Sequence, residues 1–243
     1  MSPQNQAYRQ SVLGGRLTPA VKWLIIITTV VYLLQFAARY AGYGEPLMLL
    51  FALIPAMAAG KLFVWQPFTY LFLHATNDPM HLLLNMFGLW MFGSVFEGMW
   101  GTRKFLRFYL SCGVIAGLFV VLSGFVSATA WVTPTIGQSG ALYGLIAAFG
   151  VIFAEQNIYF YAIIPIKAKV FVWILVGMAV LFALAGSPYS FPAHMGGLIA
   201  GWLLVTGNWK PGRLLLKYRL RRLERQRRRL NVIQGGGGDR YIN

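Results

Sequence analysis

Ser139 stands in a glycine-flanked stretch, Gly137-Gln138-Ser139-Gly140-Ala141-Leu142-Tyr143-Gly144, where an apolar helix should begin. A hydroxyl there meets the unpaired N–H groups of a first helical turn and the positive end of its dipole. The place suits an N-cap serine, and it also suits a nucleophile whose attack creates an oxyanion. The stretch alone favours the cap. Three more polar side chains shift the balance: His81 and Asn85, at i and i+4 on one helix face, and His194, near the start of a later apolar run. Peptide-bond hydrolysis needs a nucleophile, a base and oxyanion donors. Ser139 can attack, and His194 can take its proton and pass it to the leaving amine. His81, Asn85 and the backbone N–H of Ser139 can hold the oxyanion. No acid lies at the level of His194, because Asp78 precedes its run and Glu97 closes the far end. A Ser–His dyad is therefore expected. Tyr143, one turn beyond Ser139, would stack on the imidazole in place of an aspartate, and with Gly137 it would support the dyad.

The elements that carry these groups read as membrane spans. Hydrophobic residues make up 58% of the chain and charged ones 11%, and the apolar residues fall in long runs. One cysteine, Cys112, excludes a disulfide framework, and the first apolar run lacks a signal-peptide cleavage site. Six spans are expected, at about 21–38, 80–96, 105–126, 139–154, 168–185 and 193–207. They give an all-α polytopic domain over 21–207, between a polar arm (1–20) and a basic tail (208–243). The long connection 41–80 is too broken by prolines for a span and too apolar for a solvated loop, so it should lie partly in the membrane interface.

Charge sets the orientation. Of the 21 basic residues, all but Arg39 and Lys61 fall on the side of the two termini, which the positive-inside rule makes cytoplasmic. Spans two, four and six then all enter from outside, bringing His81, Asn85, Ser139 and His194 to a similar depth beneath the outer face. Gly140 and Gly144 on span four and Gly197 and Gly201 on span six form two G-x-x-x-G faces that allow close approach of the helices. Sixteen residues at about 1.5 Å each make span four roughly 24 Å long, short of a hydrocarbon core of roughly 30 Å. Ser139 should therefore lie below the surface, in a cavity open to the outside and covered by the segment after span five (186–192). The net charge of +15 does not point to nucleic acid. In the tail, Leu216, Leu220, Leu223, Leu230 and Ile233 recur among arginines, as in a juxtamembrane helix drawn to anionic lipid.

Gly137-Gln138-Ser139-Gly140, His81-x-x-x-Asn85 and Ala193-His194-x-x-Gly197-x-x-x-Gly201 resemble the signature elements of the rhomboid family of intramembrane serine proteases. Trp65-Gln66-x-x-Thr69-x-x-Phe72-x-His74 and Glu97-x-x-x-Gly101 also resemble its pattern, and the likeness covers about 60–207. It implies a rhomboid-like helical bundle with Ser139 as nucleophile and His194 as base. It implies His81, Asn85 and the Ser139 amide as oxyanion donors, and Gly197 and Gly201 as packing glycines. The implied substrates are membrane-spanning proteins cut within or near the span, with no cofactor. Six spans resemble the simpler bacterial form, which implies an inner-membrane enzyme with both termini cytoplasmic. Gln66 departs from the arginine that many members carry after the tryptophan.

Two other functions are weighed against this one. A catalytically silent relative that binds transmembrane helices as an adaptor would be marked by loss of Ser139 or His194. A transporter would show an inverted repeat and mid-membrane broken helices. Zinc on His74, His81 and His194 would lack a carboxylate, and His74 reads as a hydrogen-bonding residue of the outer connection. An α/β-hydrolase elbow would need glycine where Ala141 stands.

Overall fold

In the computed structural model, which describes residues 16–160, 164–184, 191–207 and 223–224, the first long helix is α1 (Pro19–Tyr40). Pro19 takes its first turn, where a missing N–H costs nothing. The free N–H groups of Ala20 and Val21 are met by the Glu97 carboxylate at 2.9 and 3.0 Å. Glu97 lies on the last turns of the next long helix, α5 (Pro79–Trp100), which contains a π turn at Leu89–Gly93. It also accepts the Thr102 hydroxyl at 2.6 Å. A buried carboxylate in an apolar span thus serves as the N-terminal cap of another span.

Between α1 and α5 the connection folds into three short helices, α2 (Gly44–Phe51), α3 (Pro55–Ala58) and α4 (Gln66–Thr69), and a 3₁₀ turn at Tyr70–Phe72. Side chains of α4 and the residue before it meet backbone groups left open where α2 ends. Trp65 donates to the Leu50 carbonyl at 2.8 Å, the Gln66 amide to Leu49 at 2.8 Å, and Thr69 to Phe51 at 2.8 Å. Gln66 also accepts the Ile54 N–H at 3.1 Å and is fully buried. Glutamine therefore works here as a two-way clamp of the outer connection.

The long α6 (Thr102–Gly124) leads through α7 (Ala128–Val132) to α8 (Ser139–Ile152), the inner helix. Gly140–Leu142 and Gly144–Phe149 are all buried, as expected for a helix apolar on every face. Phe92, Phe96 and Phe149 pack at centroid separations of 5.3 and 6.4 Å. Fourteen residues at about 1.5 Å give α8 roughly 21 Å, shorter than the expected span. After it the chain is not purely helical. β1 (Asn157–Phe160) pairs antiparallel with β2 (Ile164–Lys167), Ile158 opposite Ile166. Among the described residues the all-α expectation holds for the bundle and is corrected only here, where residues 157–160 and 164–167 pair their backbone groups with each other as short strands. Lys167 and Lys169 both pair with Glu155, at 2.8 and 2.5 Å.

The last apolar helices are α9 (Ala168–Leu184) and α10 (Phe191–Thr206). Among the described residues, α1, α5 and α6 are long and apolar enough to cross a membrane, whereas Ser139–Ile152, Ala168–Met178 and Phe191–Thr206 are shorter apolar segments. The chain separates into two units, Met1–Val205 and Thr206–Asn243. Most of the arm and of the basic tail, and residues 186–190 of the segment 186–192 expected over the site, lie outside the described residues.

Candidate active site

The chain reaches Ser139 along an anchored path. Leu53 and Thr135 exchange backbone hydrogen bonds at 3.0 and 2.8 Å, and the Gly137 N–H donates to the Tyr70 carbonyl at 2.9 Å. Tyr70 is itself fixed, with its hydroxyl donating to the Gly113 carbonyl at 2.7 Å. Gly137 has φ +104°, a conformation that side-chain-bearing residues rarely adopt. Gln138 follows as the N-cap of α8, buried, with its amide oxygen accepting the Tyr109 hydroxyl at 2.5 Å. Ser139 is therefore the first residue inside the helix and not its cap, which frees its hydroxyl for other work. That hydroxyl lies 2.9 Å from Nε2 of His194.

Glycines set this distance. On Gly197 a Cβ would stand 1.9 Å from the Gly140 carbonyl oxygen, and on Gly201 one would stand 2.2 Å from that of Gly144. α8 and α10 thus touch backbone to backbone, which no larger residue permits. The approach carries His194, three residues before Gly197, to the level of Ser139. Tyr143 lies flat against His194, with ring centroids 4.2 Å apart and planes at 19°. Its hydroxyl points to the Leu175 carbonyl at 3.5 Å. Stacking on the Tyr143 ring and the contact of Nε2 with the Ser139 hydroxyl hold the imidazole against rotation.

His81 approaches from α5. Its Nδ1 accepts the Ala75 N–H at 3.4 Å. An accepting Nδ1 carries no proton, so the neutral ring holds its proton on Nε2. The Cε1–Nε2 edge faces Gly137: a Cβ there would stand 2.9 Å from Cε1 and 3.0 Å from Nε2. His81 thus presents a donor beside the turn that precedes Ser139. Asn85 is buried one turn further along α5, with Nδ2 donating to the His81 carbonyl at 2.7 Å. One of its two N–H groups is used in this way and the other is spare.

Several residues around the site are silent in the sequence. Tyr109, through Gln138, supports the turn that carries Ser139, and its only signal in the sequence is polarity in apolar surroundings. His74 differs from its sequence reading. Its backbone pairs with Gln35, but its ring has no hydrogen bond from either nitrogen, is almost wholly buried, and lies 5.1 Å from the His81 ring. Burial, with repulsion from His81 adding to it whenever that ring is protonated, lowers the His74 pKa to about 4. The Phe72 carbonyl opposes this weakly, at a geometry short of a hydrogen bond.

Comparison with known proteins agrees with the family resemblance. A family model described as the Rhomboid domain matches residues 61–210, more than half of the chain. Rhomboid protein 1, mitochondrial, of Saccharomyces cerevisiae is 30% identical over 147 residues, 59% of this chain and 41% of that protein. Rhomboid protease GlpG of Haemophilus influenzae is 27% identical over 180 residues, 73% of this chain and 86% of the relative. Rhomboid protease GluP of Bacillus subtilis is 29% identical over 142 residues, 58% of this chain and 25% of that one. The chain therefore spans less than half the length of the yeast relative and a quarter of GluP, but most of GlpG.

Proposed function

Because the chain belongs to the rhomboid family, we propose that it is an intramembrane serine endopeptidase that cuts the transmembrane segments of other membrane proteins. The reading rests above all on the 2.9 Å contact between Ser139 Oγ and His194 Nε2 at the start of α8. In the reaction, Ser139 Oγ attacks the scissile carbonyl as its proton passes to His194 Nε2. The tetrahedral oxyanion is held by the Ser139 N–H, the Nε2–H of His81 and the spare amide N–H of Asn85. His194 then protonates the leaving amine, which leaves an acyl group on Ser139 Oγ. Water, deprotonated by His194, releases that acyl group and restores the dyad. Tyr143 supplies the ring orientation that an aspartate would otherwise give, and Gly137 leaves His81 room to approach.

Six crossings, with both termini on the cytoplasmic side and the site opening outward, complete the proposal. It is supported by the charge distribution and by the shared level of His81, Ser139 and His194. A substrate helix hides its peptide bonds in its own hydrogen bonds, so cleavage requires local unwinding. Substrates with small or helix-breaking residues near the outer interface should be cut fastest.

The test is labelling with a fluorophosphonate serine probe in membranes, together with cleavage of a single-span substrate. Wild type should do both, and Ser139→Ala and His194→Ala neither. Asn85→Ala should retain turnover reduced on the order of 10²–10³, the loss of one oxyanion donor. A folded wild-type protein that neither labels nor cleaves would instead act as a helix-binding adaptor.

A further inference from the structure

Beside His74, and bordered by Ile136 of the segment that leads to Ser139, lies a cavity of about 350 Å³ walled by Gln35, Arg39, Glu45, His74 and Thr76. A second cavity, also of about 350 Å³, adjoins it at Gln35 and Leu47 and is lined chiefly by apolar residues, among them Ile27, Val31, Leu34 and Phe51. Together they form an amphipathic slot between α1 and the outer connection. Its axis follows α1. Arg39, Gln35, Val31 and Ile27 succeed one another at four-residue steps, so they form one stripe roughly 18 Å long that runs from charge through amide to aliphatic.

The polar end has unmet capacity. Gln35 spends both ends of its amide on the His74 backbone, at 3.3 and 3.0 Å. The His74 imidazole is left 1% exposed with neither nitrogen partnered. A buried donor without an acceptor is costly, and its presence in a cavity wall points to an occupant that supplies one. Arg39 gives one N–H to Thr76 at 3.0 Å and keeps others free. Gly44 packs against Arg39, a Cβ there standing 3.2 Å from Arg39 Cα, and Glu45 lines the same cavity as Arg39. Among the described residues neither Arg39 nor Glu45 has an ion-pair partner.

We propose that this slot holds one phospholipid of the ethanolamine-headgroup class. Arg39 and the His74 N–H take the phosphate, Glu45 takes the primary ammonium, and an acyl chain lies along Val31 and Ile27. An unpaired cation and an unpaired anion in one cavity match a zwitterionic headgroup better than an anionic one. A primary ammonium can donate hydrogen bonds to Glu45, which a trimethylammonium cannot. The apolar stripe runs along the axis of a membrane-crossing helix, the direction an acyl chain follows in a bilayer. The lipid would brace the backbone around His74, whose ring packs on His81.

The proposal is tested on the full chain, purified in mild detergent, by native mass spectrometry with phosphatidylethanolamine, phosphatidylglycerol and phosphatidylcholine at equal concentrations. The wild-type protein should retain phosphatidylethanolamine at least about fivefold better than either of the others. Arg39→Gln should weaken that retention about fivefold, the equivalent of about 1 kcal/mol for one basic residue at a lipid headgroup. Val31→Trp, which fills the apolar end, should abolish it, and Val31→Phe serves the same purpose if the larger substitution prevents folding. Equal retention of the three lipids, or retention unchanged in both variants, would overturn the proposal. So would competition by glycerophosphoethanolamine as strong as by the lipid, since the acyl chain would then not be bound. Displacement of the lipid by a single-span substrate would overturn it in favour of a substrate groove. The measurement needs no turnover, so its failure leaves the protease reading untouched.

Discussion

Gly137→Ala separates the two demands that the fold makes on one residue. The first is conformational. At φ +104° an alanine is strained by about 1–3 kcal/mol, which for a chain of this size lowers Tm by roughly 2–12 °C. The second is steric. The new Cβ would stand 2.9 Å from His81 Cε1 and 3.0 Å from Nε2, where ordinary contacts begin near 3.4 Å. His81 must therefore retreat by several tenths of an ångström, away from the turn that carries Ser139. If its Nε2–H holds the oxyanion, kcat should fall on the order of 10²–10³ with KM little changed, the loss of one donor. The assay is kcat and KM on a single-span substrate beside Tm, for Gly137→Ala, His81→Ala and the double variant. In the His81→Ala background the clash has no partner, so the second substitution should add the backbone strain to the stability loss and almost nothing to the rate loss. Rate losses that multiply in the double variant, or a kcat for Gly137→Ala within about twofold of wild type, would refute the assignment of His81 as a donor held by this contact.

Glu97→Gln keeps the volume but removes the charge that accepts Ala20, Val21 and Thr102, and it turns an N–H₂ group toward donors. With charged bonds worth about 1.5–3 kcal/mol each, the variant should lose about 3 kcal/mol and roughly 10 °C in Tm; a shift under about 2 °C would mean α1 is held by other contacts. His74 gives the stability a pH dependence. Its folded pKa of about 4 lies below the ordinary 6.5, so the unfolded chain binds the proton more readily. Its contribution is complete above about pH 6.5 and is lost as pH falls from there toward about 4, up to about 3 kcal/mol. His74→Gln should flatten that part of the wild-type Tm profile, and identical profiles would exclude His74 as its source.

What was legible in the sequence follows from what each residue must do alone. Ser139, His81, Asn85 and His194 stand out because a polar side chain in an apolar run needs a reason, and their common level points to a shared one. The G-x-x-x-G pairs were legible because close helix approach needs small residues at one-turn spacing, and Gly197 and Gly201 lie against the carbonyls of Gly140 and Gly144. Residues whose meaning lies in a distant partner were opaque. Gln66 read as a departure from a pattern, and only its bonds to Leu49 and Ile54 make it a clamp. Gln138 and Tyr109 are 29 positions apart with no periodicity to link them. Glu97 read as the end of a span, because nothing in its neighbourhood announces that it caps the helix of residues 77 positions earlier. The β-hairpin was missed for another reason: in so apolar a chain, the alternation of a short strand is hidden among residues that would suit a helix as well. Gly137 shows the boundary within a single position. Its place before Ser139 marks it as part of a turn, but its second constraint comes from His81, which the fold alone brings to it. Candidate groups for chemistry can therefore be picked out one residue at a time, while the contacts that hold them are a property of pairs.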